Sequence, residues 1–415
     1  MTAASIITIG DELLIGQVVD TNSCWIAQQL NMAGIAVVRR VAVGDDADQI
    51  WKTLGEETLH AQIILITGGL GPTADDITKP LLCKYFGGKL IIDEPALENV
   101  KYLFEQVFKR PVTEVNLKQA EVPDVCTVIQ NKRGTAPGMW FEKSGKIYIS
   151  MPGVPHEMKG ILEDALPLLK DHFRLPVIIH KTLLTAGIGE SMLAEQISDL
   201  EASLPKHIKL AYLPAYGMVR LRLSSSSYQK TEIEQEINKY FLQLQKAVSP
   251  YLVTNEDESM AQTVGKILTD KNKTLATAES CTGGYIAHLI TSIAGSSKFY
   301  IGSIISYSND VKTALLDVPV KTLKDSGAVS ESTVIHMANG LLKKIPADYS
   351  IAVSGVMGPE GGTAEKPVGT VWIAVASTSD TKTMKLSLRF DRERNIQITA
   401  IQALNFMRKF ILDIE

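Results

Sequence analysis

Two separate stretches of this sequence alternate short β-branched runs with segments of helical period, and the turns that follow the runs are rich in glycine and small polar residues. Such alternation implies parallel strands joined by crossover helices, with ligands bound at the carboxyl ends of the strands. In the first stretch Ala4–Ile9 is an apolar run closed by Gly10, Ser23–Met32 has helical period, and Ala36–Val43 is β-branched. Asp46–His60 is helical again, Gln62–Thr67 reads as a buried strand before a glycine loop, and Lys146–Met151 leads through Pro152–Pro155 into a helix over His156–His172. The second stretch opens near Met260, with strands expected at Thr274–Ala278, Tyr300–Tyr307, Tyr349–Ser354, Thr370–Ala376 and Thr383–Phe390 and a helix after Asp391. Between them lie strands at Val177–Thr185, Ile208–Leu213 and Met218–Ser224 and helices at Glu190–Leu200 and Tyr228–Ala247, a compact α+β order. Ser224–Ser227 reads as a turn and the polar stretch Thr254–Ser259 as a joint between domains.

The 415 residues exceed what one ordinary core holds. The expected organisation is therefore an α/β chain of two three-layer α/β domains, 1–172 and 256–415, joined by a small α+β module over 173–252. With 45% hydrophobic and 21% charged residues the composition is that of a globular protein and not of a disordered one. A net charge of −4 with no basic block argues against nucleic acid as a direct partner. No apolar run approaches the roughly 18 residues of a membrane helix, and the first residues read as a strand, not an export signal. Cys24, Cys83, Cys126 and Cys281 stand far apart with no CxxC pair, which disfavours structural zinc and disulfides and suits a reducing cytoplasm.

The segment Ala278-Glu279-Ser280-Cys281-Thr282-Gly283-Gly284 sits between a strand and a helix. Such a turn exposes a side chain at the sheet edge and aims helix-start N–H groups at the same place, suiting a phosphate or an oxyanion. Ser and Thr before a helix also serve as simple caps, and the segment alone leaves both readings open. Three further turns accompany it: Tyr307-Ser308-Asn309 with Lys312 one helical turn on, Gly327-Ala328-Val329-Ser330, and the glycine-rich run from Ser354 through Gly355, Gly358 and Gly361 to Gly362. The run Pro367–Val371 opens the next strand.

In these segments the chain resembles the nicotinamide mononucleotide deamidases, the C-terminal domain of CinA proteins. AESCTGG, GSSKFYIGSIISYSNDVK, GAVSE, SGVMGPEGG and KPVGTVW match in order through most of residues 256–412. The resemblance implies that Ser280 attacks the nicotinamide carboxamide, that Lys312 is the general base, and that Tyr307 assists it and closes over the substrate. A serine hydroxyl needs an adjacent base at neutral pH, and a lysine serves only if its pKa is lowered. None of the motifs holds a histidine, so a Ser–Lys pair is the consistent choice, with Cys281 as rival nucleophile. Backbone N–H groups from Cys281 to Gly284 are expected to hold the oxyanion. Glu279, Thr282, Gly327, Ala328, Val329 and Ser330 are expected to line the substrate site. The loop Gly355–Gly362 is expected to hold the ribose phosphate, with Arg392 either on the phosphate or paired with Asp391 or Glu393. No cofactor is expected for this reaction.

The N-terminal stretch carries Thr67-Gly68-Gly69-Leu70-Gly71-Pro72-Thr73-Ala74-Asp75-Asp76-Ile77-Thr78 directly after its third strand. Glycines permit a backbone-exposing turn, and adjacent carboxylates suit a magnesium-like ion with substrate phosphate; the other reading is a glycine turn with Asp residues capping a helix. Glu12 and Asn22, in Gly10–Leu14 and Asp20–Asn22, add polar groups after the first strand. These motifs are similar to the N-terminal domain of CinA proteins, related in fold to molybdopterin-binding domains. In the molybdenum-cofactor proteins the loop ends in an Arg-Asp pair; here Asp75 replaces the arginine and Asp76 keeps the aspartate, a change that disfavours molybdopterin. The resemblance implies an ADP-ribose pyrophosphatase using a divalent ion of the Mg, Mn or Co type, held by Asp75 and Asp76 and yielding AMP and ribose 5-phosphate. The middle module resembles the KH-like domain of CinA proteins. Its Gly187-Ile188-Gly189-Glu190 departs from a GxxG loop, so a spacer or dimerisation role, with a homodimer, is expected over RNA binding.

The expectation is thus a cytoplasmic enzyme of pyridine-nucleotide recycling acting on nicotinamide mononucleotide and ADP-ribose. Its rivals are an N-terminal domain that only binds nucleotide and regulates or dimerises, a non-enzymatic competence or DNA-repair adaptor, and a molybdopterin-pathway enzyme.

Overall fold

A computed structural model describes residues 2–73 and 76–414. The chain divides into two compact units, Met1–Ile179 with Ser225–Gln235, and His180–Ser224 with Glu236–Glu415.

The first unit is built on β1 (Ala3–Ile9), α1 (Thr21–Met32), β2 (Ala36–Val43), α2 (Ala47–Glu57), β3 (Ile63–Thr67), α3 (Thr78–Phe86), β4 (Thr127–Ile129), β5 (Gly138–Lys143), β6 (Lys146–Met151) and α4 (Pro155–His172). The sheet order is β2-β1-β3-β6-β5-β4. Strands β2, β1, β3 and β6 run parallel, β5 runs antiparallel to β6, and β4 runs antiparallel to β5. Strand β3, Ile-Ile-Leu-Ile-Thr, is buried along its whole length, as a strand covered on both faces must be. Period-two alternation sends Ile63 and Leu65 to one core with α1 and α4, and Ile64 and Ile66 to the other with α2 and α3. Each such fully buried side chain contributes about 1.5–3 kcal/mol. Asp20 and Asp46 start α1 and α2 by accepting from Ser23 and Gln49 N–H.

The middle strands β7 (Val177–Ala186), β8 (Lys209–Ala215), β9 (Met218–Ser227) and β10 (Leu252–Thr254) are ordered β8-β9-β7-β10, with α5 (Lys230–Ala247); residues 177–179 and 225–235 of these elements fall in the first unit and the rest in the second. The serine run at 224–227 is the end of β9, not a turn, because a strand needs no apolar residue where its neighbour supplies the hydrogen bonds. The helix expected over Glu190–Leu200 is broken at Ile197 into Glu190–Gln196 and Ser198–Ala202. The stretch 254–259 lies inside the second unit, where buried Glu258 accepts from Thr254 and Thr263 hydroxyls.

There follow α6 (Met260–Asp270), β11 (Leu275–Glu279), α7 (Tyr285–Thr291), β12 (Tyr300–Ile305), α8 (Asn309–Leu316), α9 (Glu331–Lys344), β13 (Tyr349–Gly355), β14 (Thr370–Ser377), β15 (Thr381–Ser387) and α10 (Arg392–Leu412). The five-stranded order is β12-β11-β13-β14-β15, parallel over β12, β11 and β13 and antiparallel beyond. Helices α6, α7 and α10 cover one face through Val264, Leu268, Ile286, Ile290, Leu404 and Met407. Helices α8 and α9 cover the other through Leu316, Met337 and Leu341. Two three-layer α/β domains and a small α+β module are thus present. Among the described residues no helix is long and apolar enough to cross a membrane.

Candidate active site

Three parallel strands, β11, β12 and β13, end side by side, and the residues just past their carboxyl ends meet. Ser280 N–H donates to Val353 O at 3.1 Å, and Ser306 N–H donates to Glu279 O at 2.8 Å. Ser308 starts α8 by accepting from Val311 N–H, which places Lys312 one turn into the helix. From there the Lys312 ammonium lies 2.9 Å from Ser280 Oγ, 2.8 Å from Ser306 O and 3.1 Å from Tyr307 O. Lys312 is 1% exposed and Ser280 7%. Among the described residues no carboxylate lies within ion-pair distance of Lys312. Burial without a counter-charge holds its pKa below the ordinary lysine value.

The helix-cap reading of Ser280 and Thr282 does not hold. Helix α7 begins after Gly284, and the carboxylate that caps it is Glu279. Glu279 Oε2 accepts from Thr282 Oγ1 and from Gly284 and Ile286 N–H, while Oε1 accepts from Ala287 N–H and Thr277 Oγ1. Glu279 is 0% exposed, so it faces no substrate, contrary to the expectation from sequence. Its strand-end position points it inward, where helix-start N–H groups and two threonine hydroxyls take the place of water. The expected oxyanion donors shrink for the same reason. Gly284 N–H is spent on Glu279 and Gly283 N–H on Ser280 O, leaving Cys281 and Thr282 N–H without a main-chain or side-chain oxygen among the described residues.

Cys281 is buried, and burial pushes its thiol up to about 12, so it is protonated at neutral pH and a poor nucleophile. Tyr307 is only half as expected. Its carbonyl holds Lys312, but its exposed side chain turns to Arg392, whose Nη2 donates to Tyr307 Oη at 3.3 Å. That hydroxyl touches neither Lys312 nor Ser280. Arg392 Nη1 donates to Gly358 O at 2.7 Å, and the guanidinium pairs with neither Asp391, which caps α10, nor Glu393. An arginine held by neutral oxygens keeps its charge available for an anion.

The remaining residues shape the walls. Ser354 Oγ donates to Ala328 O at 2.7 Å, tying the 327–330 turn to the end of β13. Gly327 O accepts from Ser330 and Thr333 hydroxyls, and Ser330 starts α9; Val329 is half-buried in the same turn. Gly355 packs on Val371, and Gly361 is exposed in the loop. Sequence reasoning gave no role to Ser306, which acts through its carbonyl, or to Ser354 and Lys366, whose side chains brace the 326–328 turn, although all three lie in its motifs. A residue that acts through its carbonyl leaves no side-chain signal.

In the first unit the glycine loop after β3 is closed by Asp76. Its Oδ1 accepts from Gly71 N–H at 2.8 Å, and its Oδ2 accepts from Thr73 N–H at 2.9 Å and from the Thr73 hydroxyl. The close approach requires glycine at 71, where a Cβ would sit 2.5 Å from Asp76 Oδ2. Gly68, at φ +115, passes so near β1 that a Cβ would meet Ile9 O at 2.2 Å. Gly69, Gly71 and Asp76 line a cleft of about 450 Å³ with Phe104, Gln119 and Glu157. Glu12 and Asn22 line a separate hollow of about 140 Å³ with Asp20 and Thr67. Gly153 borders both, and its carbonyl accepts from Asn22 Nδ2 at 2.7 Å. Sequence reasoning thus grouped as one site what the structure divides into two hollows, and it missed Phe104, Gln119 and the segment that carries them.

Asp75 lies outside the described residues. Asp76 already accepts three hydrogen bonds, and among the described residues no three His, Cys, Asp or Glu side chains converge as a metal site. Asp76 is the organiser of its own loop.

Comparison with known proteins covers the whole chain. Residues 5–171 match the model of a probable molybdopterin binding domain, 180–254 that of the damage-inducible protein CinA KH domain, and 257–411 that of the CinA C-terminal domain. A CinA-like protein of Cytophaga hutchinsonii is 47% identical over 413 residues, covering 99% of each chain. A CinA-like protein of Flavobacterium psychrophilum is 46% identical over 411 residues, covering 99% of this chain and 98% of the relative. The crystal structure of the protein CinA from Thermoplasma acidophilum is 38% identical, covers 41% of this chain and 98% of its own, and superposes with a TM-score of 0.38. The chain therefore belongs to the CinA family, with a molybdopterin-binding-type domain, a KH module and a CinA C-terminal domain in that order.

Proposed function

We propose that the C-terminal domain is a Ser–Lys amidase that hydrolyses the carboxamide of nicotinamide mononucleotide to nicotinate mononucleotide and ammonia. The observation that carries this is the 2.9 Å contact between Ser280 Oγ and a buried lysine with no counter-charge. Neutral Lys312 takes the Ser280 proton as Oγ bonds to the carboxamide carbon. The tetrahedral oxyanion forms beside the free N–H groups of Cys281 and Thr282. As it collapses, the carbon–nitrogen bond breaks, the Lys312 proton goes to nitrogen, and ammonia leaves. Water then attacks the ester carbon, giving its proton to Lys312, and Ser280 departs with that proton as the acid is released. Arg392, held by Gly358 O and Tyr307 Oη, is placed to exchange those neutral partners for the substrate phosphate.

Ammonia release from nicotinamide mononucleotide by the full chain tests this, beside three variants. Ser280→Ala is expected to abolish release, Lys312→Ala to cost about 10²- to 10⁴-fold, and Cys281→Ala to keep most of it. Release that survives Ser280→Ala, or that requires Cys281, removes the assignment.

For the first unit, the engagement of Asp76 within its own loop favours binding of a phosphorylated nucleotide such as ADP-ribose in the 450 Å³ cleft. Metal-dependent cleavage to AMP and ribose 5-phosphate would need Asp75, the next carboxylate in the sequence, together with Asp76.

A further inference from the structure

We infer that Glu279 is a positioning residue that sets nucleophile and base against each other. The inference rests on reading Ser280 and Lys312 as that pair. A fully buried carboxylate is costly, and among the described residues no cation lies within ion-pair distance of this one. Five donors compensate it, and they come from both sides of Ser280: Thr277 before, and Thr282, Gly284, Ile286 and Ala287 after. The side chain thus folds the chain around the serine from beneath.

The same residue reaches the base through its backbone. Glu279 O accepts from Ser306 N–H, and Ser306 O accepts from Lys312 Nζ, which itself contacts Ser280 Oγ. Glu279, Ser306, Lys312 and Ser280 therefore form a closed circuit, and a shift of Glu279 moves both ends of the reacting pair. Misplacement of reacting groups by about 1 Å is worth on the order of 10²-fold in rate. The carboxylate also neutralises the positive end of α7, so that helix contributes little to an oxyanion.

An amide cannot replace the carboxylate. Main-chain N–H groups face both oxygens, Gly284 and Ile286 at one and Ala287 at the other. Either orientation of a glutamine turns its NH₂ against at least one of them.

The test reads nucleophile geometry independently of substrate. Covalent labelling of Ser280 in the full chain by a fluorophosphonate, followed by mass spectrometry, is compared for wild type, Glu279→Gln and Thr282→Val, alongside ammonia release. Glu279→Gln is expected to slow labelling by about 10²-fold and to lower kcat in proportion, with KM within about threefold. Thr282→Val, which removes one donor of five, is expected to slow both by about tenfold with its thermal midpoint near wild type. Labelling of Glu279→Gln at the wild-type rate overturns the inference. So does a raised KM with kcat intact, which would put Glu279 against the substrate. If Glu279→Gln fails to fold, wild-type labelling of Thr282→Val overturns it. Wild type that labels at Ser280 yet releases no ammonia sinks the amidase reading, and the labelling ratios still decide this one.

Discussion

In the proposed amidase, burial is what suits Lys312 to act as a base. An exposed lysine is charged at neutral pH and has no lone pair to offer. Here the side chain is 1% exposed and touches only neutral oxygens, so desolvation favours its neutral form. The base works only when neutral, and the neutral fraction grows with pH. The kcat/KM of the proposed amidase is therefore expected to rise about tenfold per pH unit below the Lys312 pKa and to level off above it, at a point below the ordinary lysine value. Lys312→Arg, which cannot deprotonate, is expected to be inactive at every pH. A wild-type profile flat from about pH 6 to 10 would exclude Lys312 as the base. Cys281 illustrates the converse: the same burial raises the thiol to about 12 and leaves the weaker nucleophile, serine, as the one with a base in reach.

At the scale of elements, the turn from β3 into α3 combines a glycine loop with a buried lysine. Lys79, the second residue of α3, is 9% exposed and donates to Lys118 O and Gln119 O. Burial lowers its pKa to about 8, although Glu121 and Asp76 pull the other way. The unfolded chain binds this proton up to about pH 10.4, so between about 8 and 10.4 the folded state holds fewer protons, and stability rises with pH. Below pH 8 the lysine is charged in both states and the full burial cost is present. Thermal unfolding of wild type and Lys79→Met across that window is expected to differ in slope, the wild type gaining on the order of 3 kcal/mol that the variant does not. Equal slopes would mean that Lys79 is solvated in solution.

What the sequence made legible at this scale follows from physical period. The strands that were apolar runs before glycine, Ala3–Ile9, Ile63–Thr67, Lys146–Met151 and Leu275–Glu279, were read within a residue or two. Strand β4 is only three residues long, and β5, Gly-Met-Trp-Phe-Glu-Lys, shows no two-residue alternation, its first four residues all being buried. Phe104 and Gln119 lie on short helical turns before these strands and Ala136 lies between them, and all three line the N-terminal cleft. In the C-terminal site, the resemblance named Ser280 and Lys312 as a pair, and their side chains do meet. The inward turn of Glu279 was not legible, since a carboxylate beside a nucleophile looks the same in sequence whether it faces solvent or the helix start.

On the scale of the whole molecule, the two candidate sites have hydrogen-bond networks that each close within their own compact unit. Asp76 is held by residues 71–73, and Asn22 by Thr67 and Gly153, all in the first unit. Ser280 and Lys312 are held by residues between Thr277 and Val353 in the second. Perturbations that share no partner act independently. Asp76→Ala removes the acceptor of three hydrogen bonds, each worth about 1–3 kcal/mol when a charged group is involved, and frees the loop that walls the cleft. It is expected to weaken ADP-ribose binding about 10- to 100-fold and to leave ammonia release from nicotinamide mononucleotide unchanged. Ser280→Ala is expected to do the reverse. Both assays run on one preparation, with ADP-ribose turnover followed in Mg²⁺, Mn²⁺ and Co²⁺ and after chelation. Chelator-sensitive AMP formation that Asp76→Ala abolishes would mean the carboxylate leaves its loop contacts to take a cation. Tight binding without turnover would mean that the latch seen here is its working state. An effect of either substitution on the other assay would show that the two networks are coupled, and the independence argued from their partners would fail.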